Sequence, residues 1–298
     1  MSINEKLAHL IFDLHRWRSG LSRKEVAIPG GLRYVYLEGG QGEPLILLHG
    51  SGANKDNFTP VARFLTPHYR VIAPDHIGFG ESSHPQDADY AAPAQAARLH
   101  AFTRALGIER FHLGGSSMGG QISLTYASLY PEDVASLWLL DSGGVWSAPK
   151  SERAKIVAAG GRNPLMARNE DEYAQILPFV MSKPPRVPRF LLNVLAQERI
   201  RNFDLEQRIY SEDVGYQMEP HIAGLPTPTL IVWGKEDRSH NVAAAGILHK
   251  LLPNSQVIII PDAGHLPMIE QPGRCAADYL NFRQALASSG KAVQLTAA

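Results

Sequence analysis

The stretch Gly115-Ser116-Ser117-Met118-Gly119 directly follows the short apolar run Phe111-His112-Leu113. A G-x-S-x-G pattern at the end of an apolar run predicts a buried strand that turns sharply into a helix, with a serine at the turn. Such a turn strains the serine backbone, and glycines two residues before and after the serine relieve collisions there. Ser117 has glycine at both positions and Ser116 at only one, so the spacing selects Ser117 as the candidate nucleophile.

An acid and a histidine follow later in the chain, in the order that such a serine requires. The run 229–233 is rich in β-branched and apolar residues and leads into a turn that carries Asp237. The next apolar run, 257–260, leads through a glycine turn to His265. We interpret both runs as buried parallel strands, whose carboxyl ends lie at the edge where open α/β sheets place their sites. Ser117, Asp237 and His265 are therefore the candidate catalytic residues.

These three residue types suit nucleophilic catalysis. A serine hydroxyl is a poor nucleophile at neutral pH, so His265 is expected to take the proton of Ser117 and later return it to the leaving group. Asp237 is expected to hold the imidazole in the required tautomer and to stabilise the imidazolium that forms.

The apolar run 44–48 is a further predicted strand, and it ends in His49-Gly50-Ser51-Gly52. Acyl transfer develops negative charge on an oxygen atom, and preorganised backbone N–H groups stabilise that charge in an oxyanion hole. We expect one donor to be the N–H of Met118, which opens the helix after the nucleophile and adds the helix dipole. We expect the second donor to be the N–H of Ser51, and we interpret His49 as a residue that shapes the loop.

Taken in order, these segments resemble the α/β-hydrolase superfamily over nearly the whole chain. The motifs that carry the resemblance are 49–52, 75–82, 115–120, the turn at Asp237 and Gly264-His265. The resemblance implies an α/β fold: a mostly parallel sheet with helices on both faces and an inserted helical cap.

Three segments, 49–58, 117–120 and 264–270, more narrowly resemble the bacterial family V lipases and esterases. This resemblance implies a serine hydrolase that cleaves carboxylic esters through an acyl-enzyme, with a Ser-His-Asp triad. It also implies that the substrate is a small-molecule or lipid ester and that neither a cofactor nor a metal ion is needed.

Asp141 is a second candidate for the acid, because it ends the predicted strand 137–140 and lies at the same edge of the sheet. Some hydrolases of this fold take their acid from that earlier strand. The turn after the later strand is the commoner arrangement. This favours Asp237 and leaves open whether Asp141 assists or replaces it.

Other activities on this fold stay open as alternatives. Carbon–carbon bond hydrolases of ring-fission products share the Ser-Met-Gly-Gly elbow, but they usually carry proline and tryptophan where this chain has Ala53 and Leu266. Such an enzyme would need Arg186, Arg189 or Arg199 to point into the site. Cofactor-free haloperoxidases or perhydrolases use the same triad, and a non-catalytic ligand-binding protein would keep the pocket without turnover.

The composition is that of an ordinary soluble globular protein. The 298 residues include 29 Lys+Arg and 29 Asp+Glu, so the formal net charge is zero and nothing favours a nucleic-acid partner. The single cysteine, Cys275, cannot form an internal disulfide and is expected to be a buried thiol. No stretch approaches the roughly 20 apolar residues of a transmembrane helix.

Residues 4–20 are predicted to form an amphipathic helix with a basic polar face. Its apolar positions, at helical spacing, are Leu7, Leu10, Ile11, Leu14 and Trp17. Two placements stay open: the helix docks on the protein itself, or it rests on a membrane surface. Charged residues interrupt the apolar stretch, which is not typical of a signal peptide. We therefore expect a cytoplasmic protein, either free or peripheral to the membrane.

Strands and helices alternate along the chain except between Asp141 and Pro226, where the pattern is helical and punctuated by prolines. We predict a hydrolase core formed by residues 1–142 and 223–298, and a helical cap formed by 143–222. Apolar cap residues either line an acyl pocket or pack inside the cap; the candidates are Ile176, Leu177, Phe179 and Met181. Acyl chain length, the natural substrate, interfacial activation and oligomeric state are not determined by these patterns.

Overall fold

The computed structural model describes residues 2–296, and side chains for residues 2–288. The strands are β1 Leu21–Ile28, β2 Leu32–Gly39, β3 Pro44–Leu48, β4 Arg70–Pro74, β5 Phe111–Ser116, β6 Val134–Leu140, β7 Thr229–Gly234 and β8 Ser255–Ile260. They form one eight-stranded sheet in the order β1-β2-β4-β3-β5-β6-β7-β8. The pairs β1–β2 and β2–β4 are antiparallel and all the others are parallel. The predicted α/β fold with a mostly parallel sheet is confirmed.

Helices cover both faces of this sheet. They are α1 Ile3–Arg18, α2 Thr59–Leu65, α3 Ala92–Ala105, α4 Met118–Leu129, α5 Glu152–Ala158, α6 Glu170–Ala174, α7 Ile176–Val180, α8 Arg189–Arg201, α9 Phe203–Gly215, α10 Glu219–Ile222, α11 Ala243–Leu251, α12 Pro267–Glu270 and α13 Pro272–Thr296. Two 3₁₀ turns, Lys55–Phe58 and Pro131–Asp133, complete the connections.

The central strands are buried on both faces, as a parallel sheet covered by helices requires. In β6, Leu137 and Leu139 belong to the apolar cluster under α3 and α4, whereas Trp138 and Leu140 belong to the cluster under α2 and α13. This alternation follows from the two-residue period of a strand. Cys275 lies in the second cluster as a free buried thiol.

Helices α5 to α10 lie between β6 and β7, in the interval where the sequence alternation stops. Part of this insertion has a small apolar cluster of its own, formed by Ala167, Ile176, Phe179, Val180 and Met181. Helix α9 instead packs Leu205 and Ile209 into the main cluster of the core. Ile222 of α10 joins the same cluster. Helices α9 and α10 therefore anchor the insertion on the core, while the segment that contains α6 and α7 packs on itself.

Helix α1 begins two residues into the chain with a capping box: Ser2 Oγ accepts from Glu5 N at 3.2 Å, and Ser2 N donates to the Glu5 carboxylate. Arg16 joins it to the body of the protein, donating two hydrogen bonds of 2.7 Å to the Asp56 carboxylate. Most of the apolar stripe faces away from the protein. The large apolar side chains exposed on this helix are Ile3, Leu7, Leu10, Leu14 and Trp17. No helix of the described chain is long and apolar enough to cross a membrane.

Candidate active site

Ser117 lies at the sharp turn between β5 and α4, with φ 55° and ψ −121°. This is a strained conformation for a residue with a side chain, of the order of 1–3 kcal/mol. The flanking glycines permit this sharp turn because a side chain at either position would collide with nearby backbone. A Cβ on Gly115 would lie 2.1 Å from the carbonyl oxygen of Gly119, and a Cβ on Gly119 would lie 2.1 Å from that of Leu48 in β3.

His265 and Asp237 meet at the carboxyl edge of the sheet. The distance from His265 Nδ1 to Asp237 Oδ2 is 2.9 Å, and both side chains are buried. The other Asp237 oxygen accepts from the backbone N–H groups of Ser239 and His240 at 2.7 and 3.0 Å. Burial alone would raise the pKa of Asp237, but the facing His265 holds it below its ordinary value.

Ser117 and His265 line the same cavity. With Nδ1 engaged by Asp237, the Nε2 atom of His265 is the one available to exchange a proton with a nucleophile. The two side chains are not hydrogen-bonded to each other in the described chain. In free enzymes such contacts are often long and shorten only when substrate is bound.

Asp141, the second candidate acid, directly follows β6, has a positive φ of 47° and is fully buried. Its Oδ1 accepts the backbone N–H of Gly234 at 2.9 Å. Asp237, and not Asp141, is the carboxylate that pairs with His265.

The loop after β3 faces Ser117, since Gly50, Ser51 and Gly52 line the cavity. Neither the Ser51 N–H nor the Met118 N–H donates a hydrogen bond within the described chain, and Met118 is the first residue of α4. Both groups are therefore free to bind an anionic oxygen, and the positive end of the helix dipole adds to one of them.

His49 holds this loop in place. Its Nε2 accepts the backbone N–H of His76 at 3.0 Å, and its Nδ1 lies 2.8 Å from the Gly50 carbonyl oxygen. These two bonds require a neutral ring with the proton on Nδ1. Burial lowers the pKa of His49 to about 4, which keeps the ring neutral at physiological pH.

A buried ion pair, which the sequence analysis did not identify, supports the same loop. Asp75 accepts from Lys55 N and Lys55 Nζ, and also from Glu81 N, each at 2.8 Å. A Cβ on Gly80 would lie 2.3 Å from the Asp75 carboxylate. The segment 75–82, where an acid and two glycines follow a strand, could have indicated a buried role for Asp75. Lys55 has no local sequence pattern that marks it as buried.

The cavity has a volume of about 240 Å³ and is apolar on one side. The insertion α5–α10 and the segment after His265 supply this apolar wall, which is formed by Leu165, Tyr173, Ile176, Leu177, Val180, Leu195, Leu266 and Ile269. Phe12 of α1 also lines the cavity. Of the four apolar residues proposed for an acyl pocket, Ile176 and Leu177 therefore line it. Phe179 and Met181 do not line it, although they belong to the same small apolar cluster as Ile176.

Arg199 is the arginine that lines the cavity within the described chain, but its charge is already paired. Its guanidinium donates to the buried Glu206 carboxylate at 2.8 and 3.0 Å and to the Leu165 carbonyl oxygen at 2.7 Å. Arg186 and Arg189 are exposed. The free inward-pointing cation that a carbon–carbon bond hydrolase would need is thus not provided by these three arginines.

One group of potential metal ligands occurs among the described residues: Asp237, His240 and His265, with ligand atoms within 4.8 Å of one another. These atoms are engaged elsewhere. Asp237 and His265 pair with each other, and His240 Nε2 lies 3.1 Å from Arg153 Nη2, which can only donate. The donor set therefore suits a proton-transfer site better than a cation site.

Comparisons with known proteins agree with this geometry. The α/β-hydrolase fold family model matches residues 43–272. Lipase 1 of Psychrobacter immobilis is 43% identical over 284 residues, which cover 93% of this chain and 88% of that protein. The human monoacylglycerol lipase ABHD6 is 29% identical over 80% of this chain and 74% of its own.

A solved structure of a membrane phospholipase A has a TM-score of 0.92 at 36% identity, covering 96% of this chain and 93% of that chain. A meta-cleavage product hydrolase from Pseudomonas fluorescens has a TM-score of 0.77 at 24% identity, covering 88% of this chain and 98% of its own, and so shares the fold. The chain belongs to the α/β-hydrolase family. Its relationship to lipases confirms the predicted enzyme class, a carboxylic ester hydrolase.

Proposed function

We propose that the protein hydrolyses lipid esters through an acyl-enzyme formed on Ser117, with His265 as the proton carrier and Asp237 as its acid partner. The observation that carries the proposal is the 2.9 Å His265–Asp237 pair, because His265 lines the same cavity as a serine at a strained strand-to-helix turn. Neither a cofactor nor a metal ion takes part in this scheme.

In the acylation step, Ser117 Oγ attacks the ester carbonyl carbon while His265 Nε2 takes the hydroxyl proton. The carbonyl oxygen becomes an oxyanion, held by the N–H groups of Ser51 and Met118. Asp237 stabilises the imidazolium. The C–O bond to the alcohol then breaks, and His265 gives its proton to the departing alkoxide.

In the deacylation step, water replaces the alcohol. His265 Nε2 takes a proton from the water as its oxygen attacks the acyl carbon, and it returns that proton to Ser117 Oγ when the carboxylic acid leaves. The same oxyanion donors serve both steps, because the developing charge is on the same oxygen atom.

The cavity favours short and medium acyl chains. Its volume of about 240 Å³ lies below the usual range of small-molecule pockets. The apolar wall fits an alkyl chain. Because the charge of Arg199 is paired, the described residues that line the cavity offer no free arginine for a second carboxylate.

Hydrolysis of p-nitrophenyl esters from acetate to palmitate tests the proposal. We expect turnover with an optimum at short or medium chains and a loss of several orders of magnitude in Ser117→Ala. Ser116→Ala is the matched control: Ser116 is adjacent and fully buried, and its activity should stay near wild type. Equal losses in both variants, or turnover that survives in Ser117→Ala, would contradict the assignment.

We also propose that α1 rests on a membrane surface and holds a cytoplasmic enzyme at the membrane periphery. Its five exposed large apolar side chains lie on one helix, and the last turn exposes the basic residues His15 and Arg18. Amphipathic helices of this kind lie in the lipid interface, with anionic lipid attracting the basic side. Since Phe12 of the same helix lines the cavity, this contact would bring the site close to lipid esters.

Cosedimentation with vesicles of phosphatidylcholine and phosphatidylglycerol tests this contact. We expect binding that Leu10→Glu together with Trp17→Glu abolishes, while hydrolysis of a soluble short-chain ester is kept. Leu129→Glu, an exposed apolar residue on α4, is the control and should bind like wild type. Binding unchanged in the double variant would overturn the membrane role of α1.

A further inference from the structure

Two carboxyl groups lie side by side behind His265. Asp237 follows β7 and Asp141 follows β6, the neighbouring strand of the sheet. Both side chains are fully buried, and Asp141 is within hydrogen-bonding reach of Asp237. Two ionised carboxylates at this separation, without a cation between them, would repel each other strongly in a region of low dielectric constant.

The hydrogen-bond partners of the two groups are unequal. Asp237 accepts from three N–H donors: two backbone groups and His265 Nδ1. Asp141 accepts from one, the N–H of Gly234 on Oδ1 at 2.9 Å, and its Oδ2 has no donor among the described residues. A buried carboxylate oxygen without a donor is costly, whereas a protonated one can itself donate.

Among the described residues, no further cation lies next to Asp141. The other ionisable groups around it are Glu270, the Cys275 thiol and the His240 ring, which interacts with the Asp141 backbone. His240, next to Asp237, is held neutral by burial and by Arg153, which lowers its pKa well below the ordinary value. The one cationic partner that the carboxyl pair gains during catalysis is His265, and that residue contacts Asp237.

We propose that Asp141 is held as a neutral carboxylic acid whose Oδ2–H donates a hydrogen bond to the Asp237 carboxylate, and that it is a positioning residue for the triad. This inference rests on the proposed function. The hydrogen bond holds the Asp237 carboxylate so that its Oδ2 faces His265 Nδ1, while the pair carries a single negative charge. Burial, followed by the charge of Asp237, raises the pKa of Asp141 well above its ordinary value, in agreement with this state.

The backbone of Asp141 makes the arrangement testable. Its φ of 47° lies in the left-handed region, which asparagine and aspartate tolerate best among residues with side chains. Asp141→Asn can therefore keep the fold, accept the Gly234 N–H with its amide oxygen, and donate to Asp237 with its amide nitrogen. It reproduces the neutral acid and not an ionised one.

The first experiment compares the pH profile of kcat/KM for wild type and Asp141→Asn on one soluble ester. We expect kcat within about threefold of wild type and an acid limb displaced by less than about 0.3 pH unit, since no charge has been removed. If Asp141 is ionised in the native enzyme, removing its charge destabilises the imidazolium, and the acid limb moves to lower pH by about one unit or more. That displacement would overturn the proposal.

Asp141→Ala removes the donor and supplies the complementary test. We expect kcat to fall by roughly 10- to 100-fold with KM nearly unchanged, as when an outer hydrogen-bond partner of a site is lost. Wild-type kcat in this variant would contradict a positioning role. If Asp141→Ala fails to fold, the asparagine variant still decides the charge state.

A second readout does not depend on turnover. The His265 Nδ1 proton, bonded to Asp237, should give a downfield resonance in the proton NMR spectrum of wild type and of Asp141→Asn. In folded Asp141→Ala, which lacks the donor, we expect this resonance to be lost or displaced, and an unchanged resonance in that variant would overturn the positioning role. Failure of the proposed function looks different: no Ser117-dependent hydrolysis of any ester by the wild-type protein.

Discussion

The loops at the carboxyl edge of the sheet and the insertion α5–α10 face each other across one cavity, yet they are built differently. The edge loops are held by backbone constraints: the strained turn at Ser117, the close packing of Gly115 and Gly119, and N–H bonds to Asp237. The insertion is held by side chains, through its own apolar cluster and the Arg199–Glu206 pair. We infer that changes at the edge alter the rate for every ester, whereas changes in the insertion alter stability and selectivity.

The largest expected effect comes from the edge. Asp237→Asn should lower kcat by about 10³- to 10⁴-fold on all chain lengths, because the asparagine amide favours the wrong tautomer of His265. Steady-state kinetics on three esters of different length measures it. The neighbouring Glu236→Gln serves as the control and should lose little. A loss below tenfold, or one confined to long chains, would break the distinction between edge and insertion.

In the insertion, Arg199→Met should lower the free energy of unfolding by about 3–5 kcal/mol, because it leaves the Glu206 carboxylate buried without a partner. Both side chains of this pair are less than a tenth exposed. Urea unfolding followed by tryptophan fluorescence measures the change. The double variant Arg199→Met/Glu206→Leu should recover most of the loss, and a double variant as unstable as the single one would refute the explanation.

A pH effect on stability is expected from Asp213 of α9. Burial, opposed by Arg153, raises the pKa of Asp213 to about 7. An acid with a raised folded-state pKa contributes stability that is present below its unfolded value of about 4 and is lost as the pH rises through about 7. Raising the pH from 5 to 8 should therefore lower the free energy of unfolding of wild type by about 1 kcal/mol or more relative to that of Asp213→Asn, which has no carboxyl group to ionise.

Thermal unfolding at the two pH values provides this measurement. Asp204→Asn, an exposed acid on the same helix, is the matched control and should follow the wild-type pH dependence. If Asp213→Asn and wild type lose stability in parallel, Asp213 is ionised in the folded protein at both pH values.

The smallest effect concerns selectivity. Leu177→Phe adds volume at the apolar wall and should lower kcat/KM for long-chain esters by about tenfold relative to acetate, the scale of a few methylene groups in an apolar pocket. The ester series measures the ratio. Met181→Leu, a change inside the cap cluster, should leave the profile as it is. A uniform loss on all esters in Leu177→Phe would show that the insertion controls rate as well as chain length.

Most of the fold could be predicted, because strands and sharp turns leave local signals. The β-branched runs, the glycine spacing around Ser117 and the chain order of Asp237 and His265 all reflect backbone requirements within a few residues. The helix at the N-terminus was also predicted, at 4–20 against the observed Ile3–Arg18. Its orientation was left open, since helical spacing shows that an apolar stripe exists but not which surface it faces.

By itself, then, the sequence indicated the family, the alternation of strands and helices, and Ser117, Asp237 and His265 as the candidate catalytic residues. Tertiary structure alone decided that Asp237 and not Asp141 contacts His265, that Lys55 and Asp75 form a buried pair, and that Arg199 is paired with Glu206. The physical reason is the separation along the chain of the groups that interact. Backbone geometry is determined by neighbouring residues, whereas the direction and charge of a buried side chain depend on groups that folding brings from distant parts of the chain.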